Sequence, residues 1–271
     1  MTTVRTTTAT ATTGMRGRPT ARPGPRAWAA LVVAEAKMVV RDTAGLVMPF
    51  GMPVLILVMY GISDATRIVV PDSGGRTAFD VFVVPVVLAI VVGIIGVINM
   101  PSFLASYRRT GVLKRLSVTP ASPAMVLVAQ VVVSAAQTAL GVALALVVAT
   151  AAFDATMPAS PTAALGVLAL CATAMYAVGM LVAAVSPTPN AALAIGLVVF
   201  FAFGATGGMF GEVSNLPEPV ARVGEALPFG ASVQALGDAW AGQPVEASHL
   251  VALGGTVVVC SLVAARFFRW T

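Results

Sequence analysis

Gln130, Ser134, Gln137, Thr138 and Gly141 lie within one apolar run at spacings i, i+4, i+7, i+8 and i+11. That spacing predicts four hydrogen-bonding side chains and a glycine on one face of a helix. In an apolar surrounding such a face can bond across to neighbouring helices, or it can line a polar path for a solute. Both readings stand at this stage. Other chemistry finds no carrier in the chain. Lys37 follows Ala36 and Lys114 follows Leu113, so neither lysine closes the glycine-rich Gly-Lys-Ser/Thr loop that cradles nucleotide phosphates. There is no Gly-x-Ser-x-Gly elbow and no His-Glu-x-x-His helix. The single histidine, His249, is expected at the end of an apolar segment in an interfacial or packing role. Cys171 and Cys260 fall inside apolar runs and read as small hydrophobes, not as metal ligands or a disulfide. No catalytic residue and no metal site is expected.

The elements that must position the polar face follow from composition. The chain has 271 residues, 58% hydrophobic and 10% charged, against about 25% charged in a soluble domain. Its apolar residues come in runs of about twenty, the length of a helix that crosses a bilayer core. Six spans are expected, at about 45–63, 81–100, 124–149, 162–185, 190–210 and 248–265, giving an all-α integral membrane protein. Pro49 and Pro53 fall inside the first span, where neighbouring helices can satisfy the carbonyls they free. Pro101 is expected to end the second.

Residues 1–25, rich in Thr, Arg, Pro and Gly, predict a disordered basic cytoplasmic tail ahead of one membrane domain over 26–271. The segment from Arg26 to Asp42 mixes Trp28, Leu31, Val32 and Val39 with Glu35, Lys37, Arg41 and Asp42. It is too charged to span and predicts an amphipathic interfacial helix, with Trp28, Glu35, Arg41 and Asp42 as its marker residues. Residues 211–246 are too long for a turn and carry five acids against one base, Arg222. Short re-entrant or interfacial helices are expected there, before the last span. The basic residues do not form a nucleic-acid patch.

Seven basic residues precede the first span, four sit in the 101–123 loop and two follow the last span, so thirteen of the sixteen share one side. Only Arg67, Arg76 and Arg222 fall on the other. The positive-inside rule then predicts both termini in the cytoplasm. None of the six predicted spans carries a central Asp, Glu, Lys or Arg, the group an ion-coupled carrier buries for its work. A separate energy source is therefore expected for any uphill transport.

The loop between the second and third spans reads Tyr107-Arg108-Arg109-Thr110-Gly111-Val112-Leu113-Lys114-Arg115-Leu116-Ser117-Val118-Thr119-Pro120. It resembles the cytoplasmic signature of the ABC-2 type permease family, in which charged residues precede a Gly-x-Leu-x-x-Leu core closed by Thr-Pro. Gly111, Leu113, Leu116, Thr119 and Pro120 match that pattern, with Arg108 and Arg115 among the charges around it. Arg109 and Lys114 are basic at places where the family often has acids. Leu227-Pro228-Phe229 is similar to the family's Asn-Pro or Leu-Pro step before the last span.

The resemblance implies that residues 108–120 dock on a separately encoded ATP-binding subunit. It further implies two copies of that ATPase carrying ATP and magnesium, a permease homodimer in a bacterial cytoplasmic membrane among its lipids, and no cofactor in this chain. It implies export of an amphipathic or hydrophobic compound, most like the daunorubicin-resistance type of drug efflux. The alternatives are an ATP-independent six-span carrier or channel, and a lipid or polysaccharide exporter of the same family.

Overall fold

A computed structural model describes residues 24–109, 123–211 and 213–267. The N-terminal tail, the core of the 108–120 motif from Thr110 to Pro120, and Arg269 with Trp270 lie outside the described residues. Among those described there is no strand, only a single bridge between Val69 and Thr77.

Proline starts many of the helices, because its fixed φ suits the first turn and its missing N–H costs nothing there. Pro25 opens α1 (Pro25–Arg41). α2 (Thr43–Gly61) follows at once, with Pro49 and Pro53 inside it. The two meet at a 62° bend, so α1 lies across the end of the bundle, where Val39 packs with Phe103 and Val133. A polar loop with a 3₁₀ turn at Asp64–Arg67 leads into the central helix. That helix begins with a π segment, Phe79–Val83, continues as α3 (Val84–Gly93), passes a second π segment, Ile94–Asn99, and ends as α4 (Met100–Arg109). The remaining elements are α5 (Pro123–Phe153), α6 (Pro161–Val185), α7 (Pro189–Thr206), a 3₁₀ turn at Val213–Asn215, α8 (Glu218–Ala226), α9 (Pro228–Ala241) and α10 (Ala247–Phe267).

Among the described residues five helices are long and apolar enough to cross a membrane, and the bent α1–α2 pair counted as one span makes a sixth. The central run Phe79–Tyr107 contains an 18-residue stretch with a mean hydropathy of 3.2 that is almost wholly buried by the other helices. It is apolar all round because every face meets protein. α5, with 31 residues, extends for about 46 Å, more than a bilayer core of roughly 30 Å. The end of the bundle where α1 packs against Phe103, Tyr107 and Val133 also carries Arg109 at the close of α4, and is called here the basic end.

The central helix does not stop at Pro101, as the sequence reading expects, but runs on to Arg109. In the π segment the donors shift by one residue, so that Met100 N bonds to Ile95 O. The next carbonyl, Gly96 O, would need an N–H at position 101, which proline lacks. Gly179 on α6 covers it with a bare Cα, where any side chain would overlap the oxygen. Gly196 on α7 does the same for Val97 O, since a Cβ there would stand 2.5 Å from it. Close approach by glycines thus replaces the solvent that would otherwise satisfy a helix end. The central helix also starts earlier than expected and takes Asp80, buried, into its first turn.

The segment 211–246 resolves into α8 and α9. Leu227 and Pro228 form the turn between them, and nearly all of α9 is buried. Phe229 meets Phe200, midway along α7, edge-on at 6.2 Å. At the other end of α9, Trp240 Nε1 donates to Thr156 O at 3.1 Å. The helix therefore returns from the interior of the bundle to the end opposite the basic one, as a re-entrant element does, and Gly242 closes it at φ 78°.

Candidate functional site

The basic end is built around two helix interruptions. The first is the break between α1 and α2 at Asp42, which occupies the N-cap position of α2 yet makes no side-chain cap bond. Its carboxylate folds back beside Gly45, where an added Cβ would come within 2.7 Å of Oδ2. The second is Pro49. Its missing N–H leaves the Gly45 carbonyl without the helical donor four residues on. Two amides from other helices supply donors instead: Asn99 Nδ2 from the central helix and Gln137 Nε2 from α5, each at 2.8 Å from Gly45 O. Both side chains are buried, so three helices meet at the one oxygen that Pro49 leaves free in α2.

The rest of the polar face on α5 is also enclosed. Thr138 Oγ1 and the Tyr176 hydroxyl of α6 share a hydrogen bond of 2.7 Å. Gln130 and Ser134 are buried, and Gln130 Oε1 has no partner among the described residues. Sequence spacing therefore located a real buried polar stripe, and at Gln137 and Thr138 its bonds tie α5 to α2 and α6.

On α1, Trp28 is half-buried, Arg41 is exposed and Asp42 is half-buried. Glu35 is buried and accepts a hydrogen bond from the Tyr107 hydroxyl, at the far end of the central helix. Burial pushes the Glu35 carboxyl up from its usual 4.5, and the Tyr107 hydroxyl partly opposes that shift. Two residues after Tyr107, Arg109 ends α4 with its side chain exposed. Arg108 belongs to the same helix, with its side chain outside the described residues. Gly111, Leu113, Lys114, Arg115, Leu116, Thr119 and Pro120 likewise lie outside them.

A cavity of about 450 Å³ opens between α1, α2, the central helix and α7 at this end, lined by Asp42, Asn99, Ser102, Ser106 and Asn190 and otherwise by mainly apolar residues. None of the four polar residues of the α5 stripe lines it. Sequence reasoning missed Asn99, although a lone amide in an unbroken apolar run was a readable signal of a buried bond.

At the opposite end Asp80 acts as a clasp. Its Oδ2 accepts from Thr77 N at 3.0 Å and Thr77 Oγ1 at 2.9 Å, and its Oδ1 accepts from Thr156 N at 2.7 Å. His249 Nε2 stands 3.7 Å from Glu246 Oε2 there. Among the described residues no group of His, Cys, Asp or Glu is placed to hold a metal ion.

No individual curated protein matches the chain. The model of the ABC-2 type transporter family does, over residues 26–238, from the helix across the basic end, through the motif-bearing connection and the re-entrant turn, to the last turn of α9. With that extent of match on an all-helical membrane bundle, the chain belongs to the ABC-2 type transporter family.

Proposed function

We propose that this chain exports an amphipathic or hydrophobic compound, such as a drug or antibiotic, across a bacterial cytoplasmic membrane. As a member of its family it is the permease component of an ABC transporter and associates with an ABC ATPase. In the proposed assembly two copies of the permease pair with two ATPase subunits, which hold ATP and magnesium. Both termini and residues 108–120 face the cytoplasm, and that connection carries the stroke of the ATPase to the central helix.

The observation that supports this reading best is the buried bond between Glu35 and Tyr107. It fastens α1 to the central helix just before the connection that bears the family's motif. A push on residues 108–120 is then delivered to the most buried helix of the bundle and to α1 together. The drug-efflux branch is favoured over lipid or polysaccharide export by the resemblance in the motif.

Reconstitution of the permease with its ATPase in proteoliposomes tests the reading. ATP hydrolysis should rise when an amphipathic compound is added, and the compound should move only when ATP is on the ATPase side. Substrate movement at the same rate without ATP would establish the ATP-independent carrier instead.

A further inference from the structure

The cavity at the basic end has a chemical bias. Asp42 brings a carboxylate that α2 does not use as a cap. Ser102 donates its hydrogen to Ile98 O at 2.8 Å, so its oxygen faces outward as an acceptor. Asn99 and Asn190 add amide groups. Among the described residues lining the cavity there is no Lys, Arg or His. Ser106 is a further polar lining residue, and most of the remaining wall is apolar, with Phe103 from the central helix and Leu193 from α7. A volume of about 450 Å³ falls within the usual range for drug-sized ligands, roughly 300–1,000 Å³. Asp42 is the one charged side chain among the described lining residues, so the acceptor-rich wall itself favours a cation, and an aromatic side chain beside it strengthens that preference.

Farther along α2 and α7, toward the opposite end, lies a separate second cavity of about 470 Å³, lined by residues that include Met52, Met59, Phe201 and Phe210 and almost entirely apolar. A cavity with one charged side chain and, farther along the same two helices, an apolar, methionine-rich one suit a solute with one polar end and an apolar body. Methionine lets such a cleft adapt to several shapes.

We propose that the basic-end cavity is where the exported compound first binds, and that it selects a cationic amphiphile, with the positive charge against Asp42 and the apolar body against Phe103 and Leu193. The inference rests on the export reading for its role in transport, but the site itself can be tested without the ATPase.

The test is equilibrium binding of radiolabelled tetraphenylphosphonium to the full chain in nanodiscs of zwitterionic lipid, with tetraphenylborate as the anion of matched size. Saturable binding of the cation and none of the anion is expected. Asp42→Asn should weaken the cation by about tenfold or more, the effect of losing one close ionic contact in a partly buried site. Asp42→Glu should keep most of the affinity. If Asp42→Asn is poorly folded, Leu193→Trp, which fills the cavity and leaves the carboxylate in place, should abolish binding. Unchanged affinity in Asp42→Asn or Leu193→Trp, or equally tight binding of tetraphenylborate, overturns the proposal. Asp42-dependent binding without ATP-driven export by the full complex would sink the export reading and leave the site standing. ATP-driven export of anionic compounds only, with no tetraphenylphosphonium bound, would do the reverse.

Discussion

Tyr107 donates its hydroxyl hydrogen to the carboxylate of Glu35 across 72 residues of sequence, and both side chains are buried. The bond joins the helix across the basic end to the last buried turn of the central helix. A buried carboxylate stripped of its donor keeps its desolvation penalty, about 1–3 kcal/mol or more for a charged group. Tyr107→Phe is therefore expected to lower the thermal unfolding temperature in detergent. Glu35→Gln, whose amide oxygen still accepts the same bond, should cost less. Equal stability of Tyr107→Phe and the parent would show that the contact carries no free energy.

The same pair gives a pH dependence. Burial holds the Glu35 carboxyl above its usual 4.5 in the folded protein, so the folded state binds the proton more tightly than the unfolded one. The penalty for ionising this group is absent at low pH and grows as pH rises from 4.5 through the folded value. Unfolding temperatures of the parent should fall over that interval relative to Glu35→Gln, and the two curves should run parallel above it. Parallel curves throughout would mean that Glu35 titrates as an exposed carboxylate does.

Gly45 O accepts from both Asn99 and Gln137 because Pro49 cannot donate to it. Removing one amide leaves the other, so Gln137→Leu alone should cost about 1 kcal/mol, within the ordinary range for one hydrogen bond. The double variant Asn99→Leu with Gln137→Leu strands a buried carbonyl and should cost more than the two single changes added together. Pro49→Ala restores the backbone N–H and should recover much of that excess. Strict additivity in a thermal-shift series, with no recovery by Pro49→Ala, would contradict this account.

The two ends of the bundle are expected on opposite sides of the membrane. Asp64 is exposed in the loop before the central helix and Arg109 is exposed at its end. In a background with Cys171 and Cys260 replaced by alanine, Asp64→Cys should react with an impermeant maleimide on intact cells. Arg109→Cys should react only after the membrane is opened. Labelling of both from outside would overturn the cytoplasmic placement of the basic end.

The spans were legible because a membrane helix shows itself by length and apolarity alone, and the buried stripe on α5 was legible because four polar groups recur at helical spacing. The continuation of the central helix past Pro101 was not. Rules for proline as a terminator assume that a freed carbonyl must find water, whereas here Gly179 closes over the freed Gly96 carbonyl and Gly196, on another helix, over its neighbour at Val97. The role of Gln137 was half legible: its burial followed from its position, but its partner depended on a proline 88 residues away in another span. The cavity at Asp42 could not be read at all, since Asp42, Asn99 and Asn190 meet only when α1, the central helix and α7 are packed together.

The last expectation concerns coupling to the ATPase. Leu113 and Leu116 are three residues apart, so they share a face if the connection after Arg109 is a short helix seated in a cleft of the ATPase. Burying each leucine would contribute roughly 1.5–3 kcal/mol, whereas an exposed charge such as Arg115 would add less than about 1 kcal/mol. Gly111 precedes them, where a bulky side chain would block either a tight turn or a close approach of the two subunits. Leu113→Asp and Gly111→Trp should leave the permease inserted at normal levels but abolish co-purification with the ATPase, and Arg115→Ala should do much less. A loop that only sets orientation would respond in the opposite order, to the loss of positive charge and hardly to a leucine. Transport at the parental rate by Leu113→Asp, at equal membrane abundance, would remove this connection from the coupling path.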